Sequence, residues 1–253
     1  MSPTAVSLIA FAIIFGGAFV GVFLRNALPE HHLADDAKDV MRLGTGLIGT
    51  IAALVLGLLI ASAKSTYDTQ NSNITRLTAE IILLDQLLLQ YGPETHTARD
   101  LLRRTVGPLV EGIWREISSE TAPFEASSAG ELAFAKIREL APQSEAQRLL
   151  KDRAIQISTE FAQTRLLLFA QGHSSIPMPF LAVLVFWLTI IFASFSLFSR
   201  LNLTLIAALF VFALSASGAI YLILELSQPF TGLMQISSAP LRNALAPLTT
   251  AAH

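Results

Sequence analysis

The stretch Leu43 to Ala63, LGTGLIGTIAALVLGLLIASA, decides the fold. It contains no Asp, Glu, Lys or Arg. A helix needs roughly 20 apolar residues to cross the hydrocarbon core of a bilayer. Three further runs share these properties: Ser2 to Leu24, Pro179 to Ser199 and Leu201 to Leu224. In lipid, backbone N–H and C=O groups must pair within their own segment, so each run is expected to be a helix. The sequence therefore predicts an all-α integral membrane protein with four transmembrane helices.

Composition agrees. The chain has 253 residues, 53% of them hydrophobic and 14% charged, with mean hydropathy +0.57. Soluble domains carry about 25% charged residues. The balance of 17 basic and 19 acidic residues leaves no electrostatic footprint for nucleic acid. With no Cys, disulfides, thiolate metal sites and Cys nucleophiles are excluded. The start Met1-Ser2-Pro3-Thr4 has no base, and its apolar stretch exceeds a signal peptide's core, so the first run is expected to stay as an anchor.

The chain divides into a first transmembrane pair over 1–63 with a short loop at 25–42, a helical segment over 64–176, a second transmembrane hairpin over 177–225, and a tail over 226–253, all one intertwined domain. Four crossings place both termini and the large segment on one side. That segment holds 12 of the 17 bases, which points to the cytoplasm. Arg25, Arg42 and Arg200 lie across the membrane and weigh the other way.

The large segment reads as helical. From Lys64 to Tyr91 there is no Gly or Pro, and Ile74, Leu77, Ile81, Leu84 and Leu88 keep a 3, 4, 3, 4 spacing. The second run thus continues beyond the membrane until Gly92-Pro93 stops it. A helix from about Thr97 is expected to break at Gly107-Pro108, and Pro123 to Gly130 reads as a loop. Ser144 is expected to cap a helix reaching Gln171, with Leu150, Ala154, Ile157, Phe161 and Leu168 on one face.

Within run two, Thr45, Gly49, Ala53, Gly57 and Ala61 are small residues four apart, which let helices approach closely in lipid. Leu47, Ile51, Leu54, Val55 and Leu58 crowd the other side, facing either lipid or a narrow apolar pore. Gly17 and Gly21 form a similar packing pair in run one. No charge lies within the spans, and the acidic Glu225 stands at the end of run four. Pumps and proton-coupled transporters place ionisable groups inside. Their absence fits a channel gated by an apolar constriction or a scaffold without a pore. In the first loop, His31 with Asp35 and His32 with Asp36 share faces of a helical turn and are weak candidate ligands for a divalent metal. No nucleophile triad, phosphate loop or HExxH motif appears, so no enzyme and no cofactor is expected.

Several stretches carry a resemblance. They include Leu28-Pro29-Glu30-His31-His32, Val40-Met41-Arg42-Leu43-Gly44-Thr45-Gly46, Tyr67-Asp68-Thr69-Gln70, Tyr91-Gly92-Pro93-Glu94, Phe186-Trp187-Leu188-Thr189, Leu222-Ile223-Leu224-Glu225, Gln228-Pro229-Phe230 and Ile236-Ser237-Ser238-Ala239-Pro240-Leu241-Arg242. Nearly the whole chain resembles the bacterial bestrophin-like domain family, and is more distantly similar to the bestrophins. Those are pentameric anion channels of the membrane, with termini and helical domain in the cytoplasm and a pore lined by the second membrane helix. The resemblance implies a homo-oligomeric, pentameric, passive ion channel of the bacterial inner membrane, with inorganic anions as the permeant species and membrane lipid around it. Ile51, Leu54, Val55 and Leu58 would form its hydrophobic neck, and Tyr67, Asp68, Glu225, Pro229 and Phe230 its family motif. Two departures limit what carries over. Thr231-Gly232-Leu233-Met234 follows the Pro-Phe pair where animal bestrophins have a calcium-binding acidic cluster, and run two lacks their neck aromatics. The alternative is a non-conducting scaffold or regulatory protein that binds a partner through its helical segment.

Overall fold

The structure, a computed structural model, describes residues 2–28, 35–118, 128–172, 178–199 and 202–250. Every regular element among them is helical: α1 (Pro3–Ala27), α2 (Asp35–Tyr91), α3 (His96–Ser118), α4 (Ser128–Glu139), α5 (Glu145–Gly172), α6 (Met178–Phe198), α7 (Leu203–Leu226) and α8 (Ala239–Thr250), with a 3₁₀ turn at Pro93–Thr95. Four of these, α1, α2, α6 and α7, are long and apolar enough to cross a membrane.

The chain forms two compact units, residues 1–66 with 175–227 and residues 67–174 with 228–253, and α2 belongs to both. In the first unit, Ile14, Ala18, Leu184, Ala213, Ile220 and Ile223 build a core from α1, α6 and α7. Local chemistry sets the helix ends. The Ser2 hydroxyl accepts from the Ala5 amide to start α1. The Asn202 side chain accepts from the Leu205 amide to start α7. One Arg25 guanidinium N–H donates to the Ser199 carbonyl at 2.6 Å, so the end of α1 satisfies a carbonyl left open beyond α6.

The sharpest packing is between α1 and α6. A methyl group added at Gly17 would come within 2.7 Å of the Thr189 carbonyl, and one at Gly21 would collide with the Ala193 carbonyl. Both helices present small or β-branched residues four apart, so their backbones touch. That is how helices associate in lipid, where burying apolar surface gives no net drive. Aromatic contacts tie α1 to α7: Phe210 packs edge-on against Phe11 and Phe15, with ring centroids 5.5 and 5.8 Å apart.

In the second unit, the part of α2 past the apolar run buries Ile74, Leu77, Ile81, Leu84 and Leu88, as their spacing requires. Ser144 caps α5 by accepting from the Gln147 amide at 3.1 Å, and Ala154, Ile157 and Leu168 are buried.

Three boundaries differ from the sequence reading. α3 runs unbroken through Gly107-Pro108. Proline removes one helical N–H bond, yet Val106, Val110 and Ile113 stay buried on one stripe across it, and that packing holds the helix together. Gly130 lies inside α4 rather than in a loop. The tail forms α8, whose Leu241 and Leu245 complete a core with Ile74, Leu77, Ile81 and Phe230. The Ser237 hydroxyl accepts from the Ala239 amide at its start, and Pro240 just inside the helix is a further start signal.

Candidate functional site

Helix α2 is about 85 Å long at 1.5 Å per residue, far more than a membrane crossing requires. Its uncharged part has three distinct sides. Ala52, Leu59 and Ala63 are buried in the core of the first unit, with Val55 and Leu56 half-buried beside them. A helix advances about 100° per residue. Leu43, Leu47, Ile51, Leu54 and Leu58 therefore lie roughly 100–180° round from that buried side, and they are 40 to 77% exposed in the single chain. Gly46, Thr50, Ala53, Gly57 and Ala61 lie as far round in the other sense and are also exposed. So α2 has an attached side, a bulky apolar side and a small-residue side.

This geometry separates residues that spacing alone had grouped. Val55 is set apart from Ile51, Leu54 and Leu58: it sits at the edge of the bulky stripe and packs on the core. The small residues four apart do not keep one face. Each step of four turns about 40° past a full revolution, so Thr45 and Gly49 are half-buried while Ala53, Gly57 and Ala61 are exposed. An added methyl at Gly57 would meet nothing within 4 Å, and one at Gly49 only the Ile191 Cδ1 at 3.9 Å.

The motif residues fall into both units. Glu225 is buried near the end of α7, one turn beyond Tyr221. In the second unit, Tyr67 is half-buried against the core and Asp68 is exposed. Pro229 and Phe230 are buried in a tight knot. The Ile236 amide donates to the Pro229 carbonyl at 2.6 Å. The Trp114 indole N–H donates to the Ile236 carbonyl at 3.2 Å, and its ring packs edge-on against Phe230 at 5.6 Å. Gly232, with φ +84°, supplies the left-handed turn between them. Trp114 is the residue that sequence reasoning missed here; it is 122 residues from Ile236, and no local pattern links them.

A second missed feature is a buried ion cluster. The Arg99 guanidinium grips the Asp85 carboxylate through two hydrogen bonds of 3.0 Å each. Arg103 Nε approaches the same carboxylate at 3.4 Å, and the three side chains are only 7 to 12% exposed. Nearby, Glu80, also buried, takes a hydrogen bond from Arg76 at 2.8 Å and one from the Thr164 hydroxyl at 3.3 Å. The i, i+4 spacing of Arg99 and Arg103 was the available signal. Tyr91 closes α2 with its hydroxyl buried and without a hydrogen-bond partner. Burial first, and then the Glu94 carboxylate, raise its pKa above the usual tyrosine value.

His31 and His32 lie outside the described residues, and α2 begins at Asp35 and Asp36, of which the backbone alone is described. Among the described residues no three His, Asp or Glu side chains gather as a metal site.

These features define a membrane protein with four apolar helices, one of which runs on into a separate helical unit. The chain belongs to the Bestrophin-like domain family, whose model matches residues 12–241. It is similar in fold to a bacterial bestrophin homolog from Klebsiella pneumoniae, crystallised as a point mutant, at 16% identity and a TM-score of 0.66, over 97% of this chain and 98% of that one. No curated protein matches the chain.

Proposed function

We propose that the protein is a passive ion channel of the bacterial inner membrane, built from five copies around a shared axis and favouring anions. Its termini and second unit lie in the cytoplasm. The observation that carries this reading is the uncharged bulky stripe of α2, exposed in the single chain within a family of channel-type fold. A ring of second helices turns that stripe onto the axis. Ile51, Leu54 and Leu58 then form a neck, with Val55 backing it from the core side. The small-residue side, Ala53, Gly57 and Ala61, meets the neighbouring copy. An apolar neck gates by dewetting: water leaves a narrow apolar tube, and ions cannot follow. A scaffold would turn the same uncharged stripe to lipid, so oligomeric state and conduction separate the two readings.

The test is recording from purified protein in planar bilayers under a salt gradient. The reversal potential reports the permeant sign. The double variant Leu54→Ala/Leu58→Ala widens and wets the neck, and single-channel conductance rises. Unchanged currents in a conducting protein remove the neck assignment. A monomer that persists in lipid nanodiscs removes the pore and leaves the scaffold.

A further inference from the structure

A cleft of about 440 Å³ opens between the start of the apolar part of α2 and the end of α6. That size lies in the range of small-ligand sites, roughly 300–1,000 Å³. Its α2 wall includes Gly46 and Gly49; its α6 wall includes Phe195 and Phe198. Arg42 and Ser199 stand at its rim. Arg42 immediately precedes one uncharged run and Ser199 ends another, so the rim lies where the bilayer core gives way to headgroups.

We propose that this cleft binds an anionic phospholipid, its phosphate against Arg42 and an acyl chain along Gly46 and Gly49 under the two phenylalanines. Charge and shape both point to that occupant. A guanidinium is the side chain best matched to phosphate. The walls below it are mostly apolar and carry no charge. The two glycines hollow the cleft: a methyl group at Gly46 would meet nothing within 4 Å. Arg42 has a local partner, Asp39, with Nη1 and Oδ1 3.7 Å apart, but both side chains are about three-quarters exposed (77 and 74%). Such a pair is weak and screened, and it leaves most of the five guanidinium donors for a headgroup. The rim gains a second positive charge from Arg25, which donates to the Ser199 carbonyl. The site needs no pore.

Native mass spectrometry of the full chain tests this, with phosphatidylglycerol or phosphatidylcholine titrated into the detergent. The protein retains phosphatidylglycerol in preference to phosphatidylcholine. Arg42→Gln lowers that preference about fivefold, the worth of one basic residue at an anionic surface. Gly46→Leu grows into open space and abolishes retention of both lipids. Equal retention of the two lipids, or a preference untouched by Arg42→Gln, overturns the proposal. Displacement of phosphatidylglycerol by inorganic phosphate makes this a free-anion site and also overturns it. A Gly46→Leu protein that changes its oligomeric mass shows the cleft to be covered by a second copy, and the lipid assignment falls in that case too. Arg42 is exposed, so its variant remains informative if Gly46→Leu fails to fold.

Discussion

Replacing Asp85 by Asn should weaken the second unit more than any other single polar change. The wild-type carboxylate is the shared counter-charge of Arg99 and Arg103, 3.0 and 3.4 Å away. An amide keeps the shape and loses the charge, so two guanidinium groups face each other at low exposure. Breaking a buried ion pair by removing one partner costs about 3–5 kcal/mol, because the remaining charge is stranded. The second unit holds roughly 130 residues, for which 1 kcal/mol moves the midpoint by roughly 3–5 °C. Asp85→Asn should therefore lower Tm by about 10 °C or more. The assay is thermal unfolding followed by circular dichroism in one detergent. Arg99→Gln and the double variant complete a cycle. If the pair is real, Asp85→Asn/Arg99→Gln is less damaged than the sum of the singles, with a coupling of about 2 kcal/mol or more. Additivity within about 0.5 kcal/mol would refute the cluster. So would an Asp85→Asn protein as stable as the wild type.

Other changes have defined outcomes. Gly21→Ala forces a methyl into the Ala193 carbonyl, and such overpacking costs about 1–3 kcal/mol; Gly16→Ala, with open space around it, should leave detergent stability unchanged. Trp114→Phe keeps the ring against Phe230 but drops the bond to the Ile236 carbonyl, and should lower stability by about 1 kcal/mol, read as a small loss of Tm. Tyr91→Phe removes a buried hydroxyl that has no partner and should leave the protein as stable as before, or more so, at neutral pH. The alkaline limb should change as well. Because Tyr91's pKa is raised in the fold, the unfolded chain gives up this proton first. Stability held below the ordinary tyrosine pKa of about 10 is then lost as pH rises through it towards the folded value. Tyr91→Phe should flatten that decline in unfolding curves taken from neutral to alkaline pH.

How much of this was legible in the sequence depended on whether the signal was local. The spans were legible because lack of charge over about 20 residues is a property of a single segment. The buried row Ile74, Leu77, Ile81, Leu84, Leu88 was legible for the same reason. So was the close approach at Gly17 and Gly21, although Thr189 and Ala193 as the other half of the contact were not. Helix α8 escaped notice because its start signals, Ser237 and Pro240, were read as part of a motif. Pro108 misled in the other direction: a propensity rule gave way to packing by Val106, Val110 and Ile113. The three sides of α2 needed coordinates. Sequence gives the angles between residues, while the absolute direction of the attached side comes from Ala52, Leu59 and Ala63 meeting the rest of the unit.

The contact of Gly17 and Gly21 with Thr189 and Ala193 also sets a schedule for biogenesis. About 170 residues separate the two halves. At 5–20 residues per second the ribosome needs roughly 10–30 s to make them. For that interval α1 has only α2 beside it in the bilayer, and the groove at Gly17 and Gly21 lacks the α6 residues that fill it. A ribosome stalled before α6 would leave that groove unfilled, with neither Thr189 nor Ala193 present to close it.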